Sequence, residues 1–181
     1  MRTKSGAVLA LAALAAVAFR SSPALSADAA AGGPKSCSAL LLSADGADAT
    51  ADSRGKVFRA TRILDVRVRA VIPASVEFER DEVVVFRFTT PKGNLYQAIE
   101  VPVASSKNGA EKERKRPGYP FPLEVQQPKS VTHDRRPAKS VETRLPVGCT
   151  AIMESGLYGA WRVEALVGGA RPCSATFELK P

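Results

Sequence analysis

One histidine, three cysteines and one cluster of basic and aromatic residues are the groups in this chain with chemistry to offer. His133 stands between Thr132 and Asp134, with Ser130 three residues before it. Ser, His and Asp are the ingredients of a hydrolytic triad. Triad members converge from separate elements, however, and neighbours on one extended segment do not. His133 is therefore read as a solvated loop residue. A metal centre needs three or four ligands, and Cys37, Cys149, Cys173 and His133 lack the spacing for one. No glycine-rich phosphate loop, nucleophile elbow or Asp-x-Asp calcium pattern is present in the sequence. The chain reads as a non-enzyme without a cofactor.

The basic cluster runs Glu111-Lys112-Glu113-Arg114-Lys115-Arg116 and continues into Pro117-Gly118-Tyr119-Pro120-Phe121-Pro122, with Arg135 and Arg136 further on. As an adhesive arm, Lys112, Arg114, Lys115, Arg116, Arg135 and Arg136 would meet an anionic glycan, lipid or phosphate while Tyr119 and Phe121 stack or anchor. As an ordinary surface loop, its aromatics would pack back onto the domain. The second reading is preferred, because the charge belongs to no wider basic face. The whole chain carries a formal net charge of +8. Three of its basic residues, Arg2, Lys4 and Arg20, belong to the leader, and Ser105 to Val141 alone holds nine basic against four acidic residues. The expected partner is an unknown protein or an anionic glycan, and nucleic acid is disfavoured by the compartment.

That compartment follows from the first residues. Arg2 and Lys4 precede an apolar run from Ala7 to Phe19, and small residues around Ala24–Ala29 offer cleavage sites. This is the layout of a secretory signal peptide, read over 1–27, with a flexible Ala/Gly-rich lead-in over 28–36. The run falls short of the ~20 apolar residues of a permanent anchor, and no second long apolar run follows. An exported chain, periplasmic or extracellular and without a remaining transmembrane span, is expected. The remainder, 37–181, has the length of one domain.

Its elements are strands. Cys37–Leu42 is a plausible first strand, and Ser43–Gly55 reads as a loop. From Phe58 to Ile72, apolar residues alternate with Arg59, Thr61, Asp65, Arg67 and Arg69, broken at Arg62, which argues one half-buried strand or two joined at a bend. Leu64 falls on the inward parity. Val83–Phe88, a Pro/Gly turn at 90–94 and Leu95–Val101 form a hairpin. Ser105–Lys139 holds five prolines and no period, and reads as a long insertion without helix or central strand. Val141–Val147, Trp161–Val167 and Ser174–Leu179 complete the set, with Phe177 and Leu179 inward and a connection with one helical turn over Cys149–Ser155. About seven strands, Gly/Pro turns and no long helix describe an all-β antiparallel sandwich. Trp161 is its core anchor, able to bury ~150–250 Å².

The closing segment Ser155-Gly-Leu-Tyr-Gly-Ala-Trp-Arg-Val163, with Gly168-Gly169 and Phe177-Glu-Leu179, resembles the last hairpin of bacterial immunoglobulin-like and macroglobulin-like β-sandwiches. Pro91-Lys-Gly-Asn-Leu-Tyr96 resembles their Pro-x-Gly-x-x-Tyr hairpin, and with Leu145-Pro146-Val147 the chain resembles uncharacterised secreted bacterial proteins of this kind. The resemblance implies an Ig-like sandwich and specifies little about function. In such sandwiches the first strand often runs parallel beside the last, which implies a Cys37–Cys173 disulfide and leaves Cys149 buried or free. A Cys149–Cys173 bond fits poorly, because the strand between them spans ~20 Å and a disulfide holds Cα atoms within ~7 Å. The expected function is an exported binding or structural module. An accessory subunit of an envelope or secretion assembly, pairing through an open sheet edge, and a hydrolase or inhibitor built on the long loop are the alternatives.

Overall fold

The computed structural model describes residues 37–46, 56–106, 111–169 and 172–181; the leader and lead-in read over 1–36 lie outside them. Eleven strands follow in chain order: β1 Ala39–Gly46, β2 Val57–Arg59, β3 Ile63–Pro73, β4 Val83–Thr89, β5 Leu95–Pro102, β6 Glu113–Arg114, β7 Leu123–Glu124, β8 Lys129–His133, β9 Arg136–Pro146, β10 Gly159–Val167 and β11 Cys173–Lys180. The one α-helix among the described residues, the four-residue α1 Ala151–Glu154, starts at Thr150, whose hydroxyl accepts from the Ile152 N–H. The fold is an all-β sandwich of two open sheets. One has the order β1-β3-β9-β8 and the other β2-β11-β10-β4-β5, while β6 and β7 pair separately. All pairings are antiparallel except β2 with β11 and an isolated bridge from Val103 to Gln126.

The core follows from alternation. Val66, Val68, Ala70 and Ile72 of β3 and Val141 and Leu145 of β9 face Val84, Phe86 and Phe88 of β4, Trp161 and Val163 of β10 and Phe177 and Leu179 of β11. Trp161 is fully buried. It stacks on Phe177 with centroids 6.1 Å apart and forms a T-shaped pair with Tyr96 at 5.3 Å. Its indole N–H donates to the Leu157 carbonyl at 2.9 Å, so burial leaves no polar atom of the ring unpaired.

Several expectations change. The bend near Arg62 is a 3-10 turn over Ala60–Arg62, which carries the chain from β2 in one sheet to β3 in the other. Leu64 is 68% exposed, not inward. The β1–β3 register slips there, with Asp45 opposite Asp65 but Gly46 opposite Ile63, so Leu64 is the extra residue of a bulge and Ile63 takes the core position. β1 runs on to Gly46, although the composition from Ser43 predicts a loop. About seven strands were expected, and the larger number comes mostly from the supposed insertion over 105–139. Its second half is the hairpin β8–β9, closed by Asp134 and Arg135, both at positive φ (48° and 62°). Proline did not prevent it. Pro137 pairs with Thr132 beyond Ala138, the last β9 residue that β3 reaches, so its missing N–H faces no second neighbour.

Candidate functional site

The triad reading fails on strand geometry. Ser130 and His133 lie three residues apart on β8, so alternation sends them to opposite faces. His133 Nε2 lies 3.4 Å from a carboxylate oxygen of Asp134, its neighbour in the turn. With Arg136, Pro137, Pro73 and Ser38 they line an open cleft of about 390 Å³. Among the described residues no cluster of three or more His, Cys, Asp or Glu could hold a metal ion.

The disulfide joins Cys37 to Cys173 with Cα atoms 5.9 Å apart, as expected, but the expected arrangement behind it is wrong. The first strand does not lie beside the last in one sheet. β1 pairs with β3, and the parallel neighbour of β11 is β2. The disulfide therefore ties the margin of one sheet to the other sheet, across the side of the sandwich where β1 approaches β11. Such bonds persist in oxidising compartments. Cys149 is free and exposed. No helix among the described residues is long and apolar enough to cross a membrane.

The eight loop residues singled out above separate into three groups. Arg114 is not part of an exposed patch: it is 7% exposed and works as a brace. Its guanidinium donates to the Glu82 carbonyl (3.1 Å), the Val103 carbonyl (3.2 Å) and both carboxylate oxygens of Glu111 (3.2 and 2.7 Å). These bonds clip the 111–124 segment onto the place where the chain enters β4 and leaves β5. The fork also holds the Glu111 carboxyl below its ordinary range. Arg116 is half-buried and meets Glu100 of β5 at 2.5 Å. Both arginines are thus committed to internal carboxylates. Arg135 and Arg136 are exposed but stand at the β8–β9 turn, on a separate hairpin.

The third group is the outward part of the braced segment. Lys112 and Lys115 are exposed, Tyr119 is 42% exposed and Phe121 is 77% exposed. The expected packing of these aromatics back onto the sandwich is not found for Phe121. The Tyr119 N–H donates to the Arg116 carbonyl (3.2 Å), closing a tight turn with Gly118 at φ 85° in its third position. That is the type II arrangement, which needs positive φ there and favours proline, here Pro117, just before. The turn presents Tyr119 and Phe121 from a mount fixed at Arg114 and Arg116.

Gln126 links the two sheets. Its backbone N–H donates to the Pro102 carbonyl (2.8 Å) and its carbonyl accepts from Ala104 (3.0 Å), on the side of that chain opposite β4. Its side-chain amide then reaches the other sheet. It accepts from the Glu142 N–H (2.7 Å) and donates to the Glu142 carbonyl (3.1 Å), imitating a strand neighbour for β9 beyond the end of β8. A glutamine in a Pro-rich stretch carries no sequence signal for this role.

On the outer face of the β1-β3-β9-β8 sheet, Asp45 and Asp65 stand directly opposite one another. Burial and the Asp45 charge raise the Asp65 carboxyl above its ordinary range. Arg67 bonds Asp45, and Arg144 lies 3.4 Å from Asp45 and 3.5 Å from Asp65, which contains the repulsion. Glu142 is the reverse case: burial pushes its carboxyl up, but Lys129, Arg69 and Arg67 outweigh burial and hold it below 4.5.

No protein-family model matches the chain, and no curated protein matches it.

Proposed function

We propose that this chain is an exported, non-enzymatic, immunoglobulin-like binding module of the cell envelope or extracellular space, and that its partner is a protein. The observation that carries the reading is Phe121, 77% exposed with Tyr119 beside it on a segment braced by a buried arginine. Exposed aromatics on a preorganised mount cost little entropy to engage and are typical anchors of protein interfaces. A glycan partner has weaker support, since Arg114 and Arg116 are already neutralised by Glu111 and Glu100. The disulfide and the secretory layout of the first residues favour export.

The test is a pull-down from envelope extract with the processed protein and with the Tyr119→Ser/Phe121→Ser variant. Partners retained by the first should be lost by the second while the fold is kept. An identical retained set would refute the reading. Loss of heparin retention on Lys112→Gln/Lys115→Gln, with protein partners unchanged, would turn it to an anionic glycan.

A further inference from the structure

We infer that the outer edge of β5 over Leu95–Ile99 is a strand-addition site for an extended, uncharged peptide segment of the protein partner, with alternating apolar side chains. The inference rests on the binding-module reading above and names the partner's chemistry.

β5 is the last strand of its sheet, and no described strand pairs with its outer edge. It is eight residues long, whereas the opposite margin of the same sheet is the three-residue β2. Natural edges of this length are blunted with lysine, proline or inward charge. Leu95-Tyr96-Gln97-Ala98-Ile99 has none of these; a bulge at Tyr96, where Leu95 faces Thr89 and Gln97 faces Phe88, is the one irregularity of the edge. The same edge already accepts a strand-like neighbour further along. Gln126 of this chain bonds the backbone at Pro102 and Ala104 on that side, and Arg116 closes over Glu100. The chain's own segment therefore covers the edge toward Pro102 and Ala104, while Leu95, Gln97 and Ala98 are exposed. Backbone hydrogen bonding on this side of the chain is used by the molecule itself at Pro102 and Ala104.

The side chains specify the occupant. Ile99 and Val101 stand opposite the buried Phe86 and Val84, on the core side of β5, yet both remain half-buried. A neighbouring strand over 95–99 with an apolar residue on that same side would complete the burial of Ile99. Leu95 is 62% exposed. No residue of 95–99 is charged, so recognition is by backbone bonds and apolar contact, as in other edge-addition complexes. Tyr119 closes the tight turn that begins at Arg116, the residue paired with Glu100 of β5. A second copy of this chain is a poorer occupant. Five open residues a side fall far short of the roughly 20–30 residues a side of a stable interface.

The test uses the full processed chain and a phage-displayed random decapeptide library as probe. Enriched peptides should carry apolar residues at alternate positions without proline between them, and should bind nearly as well at ~300 mM as at ~50 mM salt, because no charge pair is formed. Synthetic versions N-methylated at one alternate set of backbone nitrogens should lose binding, while methylation at the other set is tolerated, since only one set faces the edge. Alternate amides within Leu95–Ile99 should gain roughly tenfold or more protection from hydrogen exchange on binding. Gln97→Lys, at an exposed position of the edge, should abolish capture, and Lys92→Gln in the adjacent turn should not. Peptides that bind with protection or shift changes confined to 112–121 would overturn strand addition and leave the aromatic mount as the binding site. Equal tolerance of both methylation patterns, failure to enrich any peptide, or concentration-dependent dimers that shield 95–99 would each overturn the inference.

Discussion

Arg114→Ala should destabilise the sandwich by about 2–4 kcal/mol, although the residue belongs to a segment that reads as a solvated basic loop. The magnitude comes from what the substitution strands. The Val103 carbonyl loses its bond from the guanidinium, and the Glu82 carbonyl keeps the Val103 N–H as a donor. A buried acceptor left unmet costs ~1–3 kcal/mol. The arginine stem, almost wholly buried, leaves a gap that adds on the order of 1 kcal/mol. Arg114→Lys keeps the charge but not the planar fork, so it should recover only part of the loss. Glu111→Gln should matter far less, because that carboxylate is the more exposed partner. The assay is urea unfolding followed by Trp161 emission, with hydrogen exchange over Arg116–Phe121. The brace predicts lower stability together with faster exchange in that segment. A cost under ~0.5 kcal/mol, ordinary for a surface substitution, would refute the assignment of Arg114 as a brace.

Cys37→Ser/Cys173→Ser closes no loop where the wild type closes one of sequence separation 136, and the chain-entropy model gives a loss of about 5 kcal/mol. Thermal melts check the loss, and alkylation of the untreated protein should label Cys149 alone. Gln126→Ala removes two bonds to β9 and should cost about 1–2 kcal/mol in urea unfolding, with faster exchange at Glu142. Asp65 binds its proton more tightly folded than unfolded, so its contribution to stability declines as pH rises from 3.8 through the raised value. Asp65→Asn should therefore gain on the wild type over that window, and a parallel pair of stability–pH curves would contradict it. Glu142→Gln has the opposite sign. The lowered carboxyl supplies stability above 4.5 that is lost as pH falls through its folded value, so the variant should lose most near neutrality and converge with the wild type in acid.

Alternating β-branched and aromatic runs made β3, β4, β5, β10 and β11 legible, because side-chain period and burial are properties of a single strand. The buried Trp161, the 90–94 turn and the two-sheet class followed from the same local pattern. The β8–β9 hairpin escaped notice because its turn is Asp134-Arg135, where the recognisable signal would be Asn-Gly or Asp-Gly. The Leu64 bulge escaped because a register slip is a property of two strands, not of one.

The candidate site was legible only as a list of residue types. Lys112, Arg114, Lys115 and Arg116 look alike in sequence. Glu82, Glu100 and Val103, distant along the chain, decide that two of these four face inward and two face out. In the same way the cysteine pair could be anticipated, while the sheets it joins depended on β2 and β3 parting at Ala60–Arg62. Sequence alone determined which stretches extend and which of their faces are apolar, since both arise from neighbours along the backbone. Which charges are spent internally, which edge stays open and which aromatics reach solvent were decided by tertiary structure, because each is a relation between segments brought together only by the closing of the two sheets.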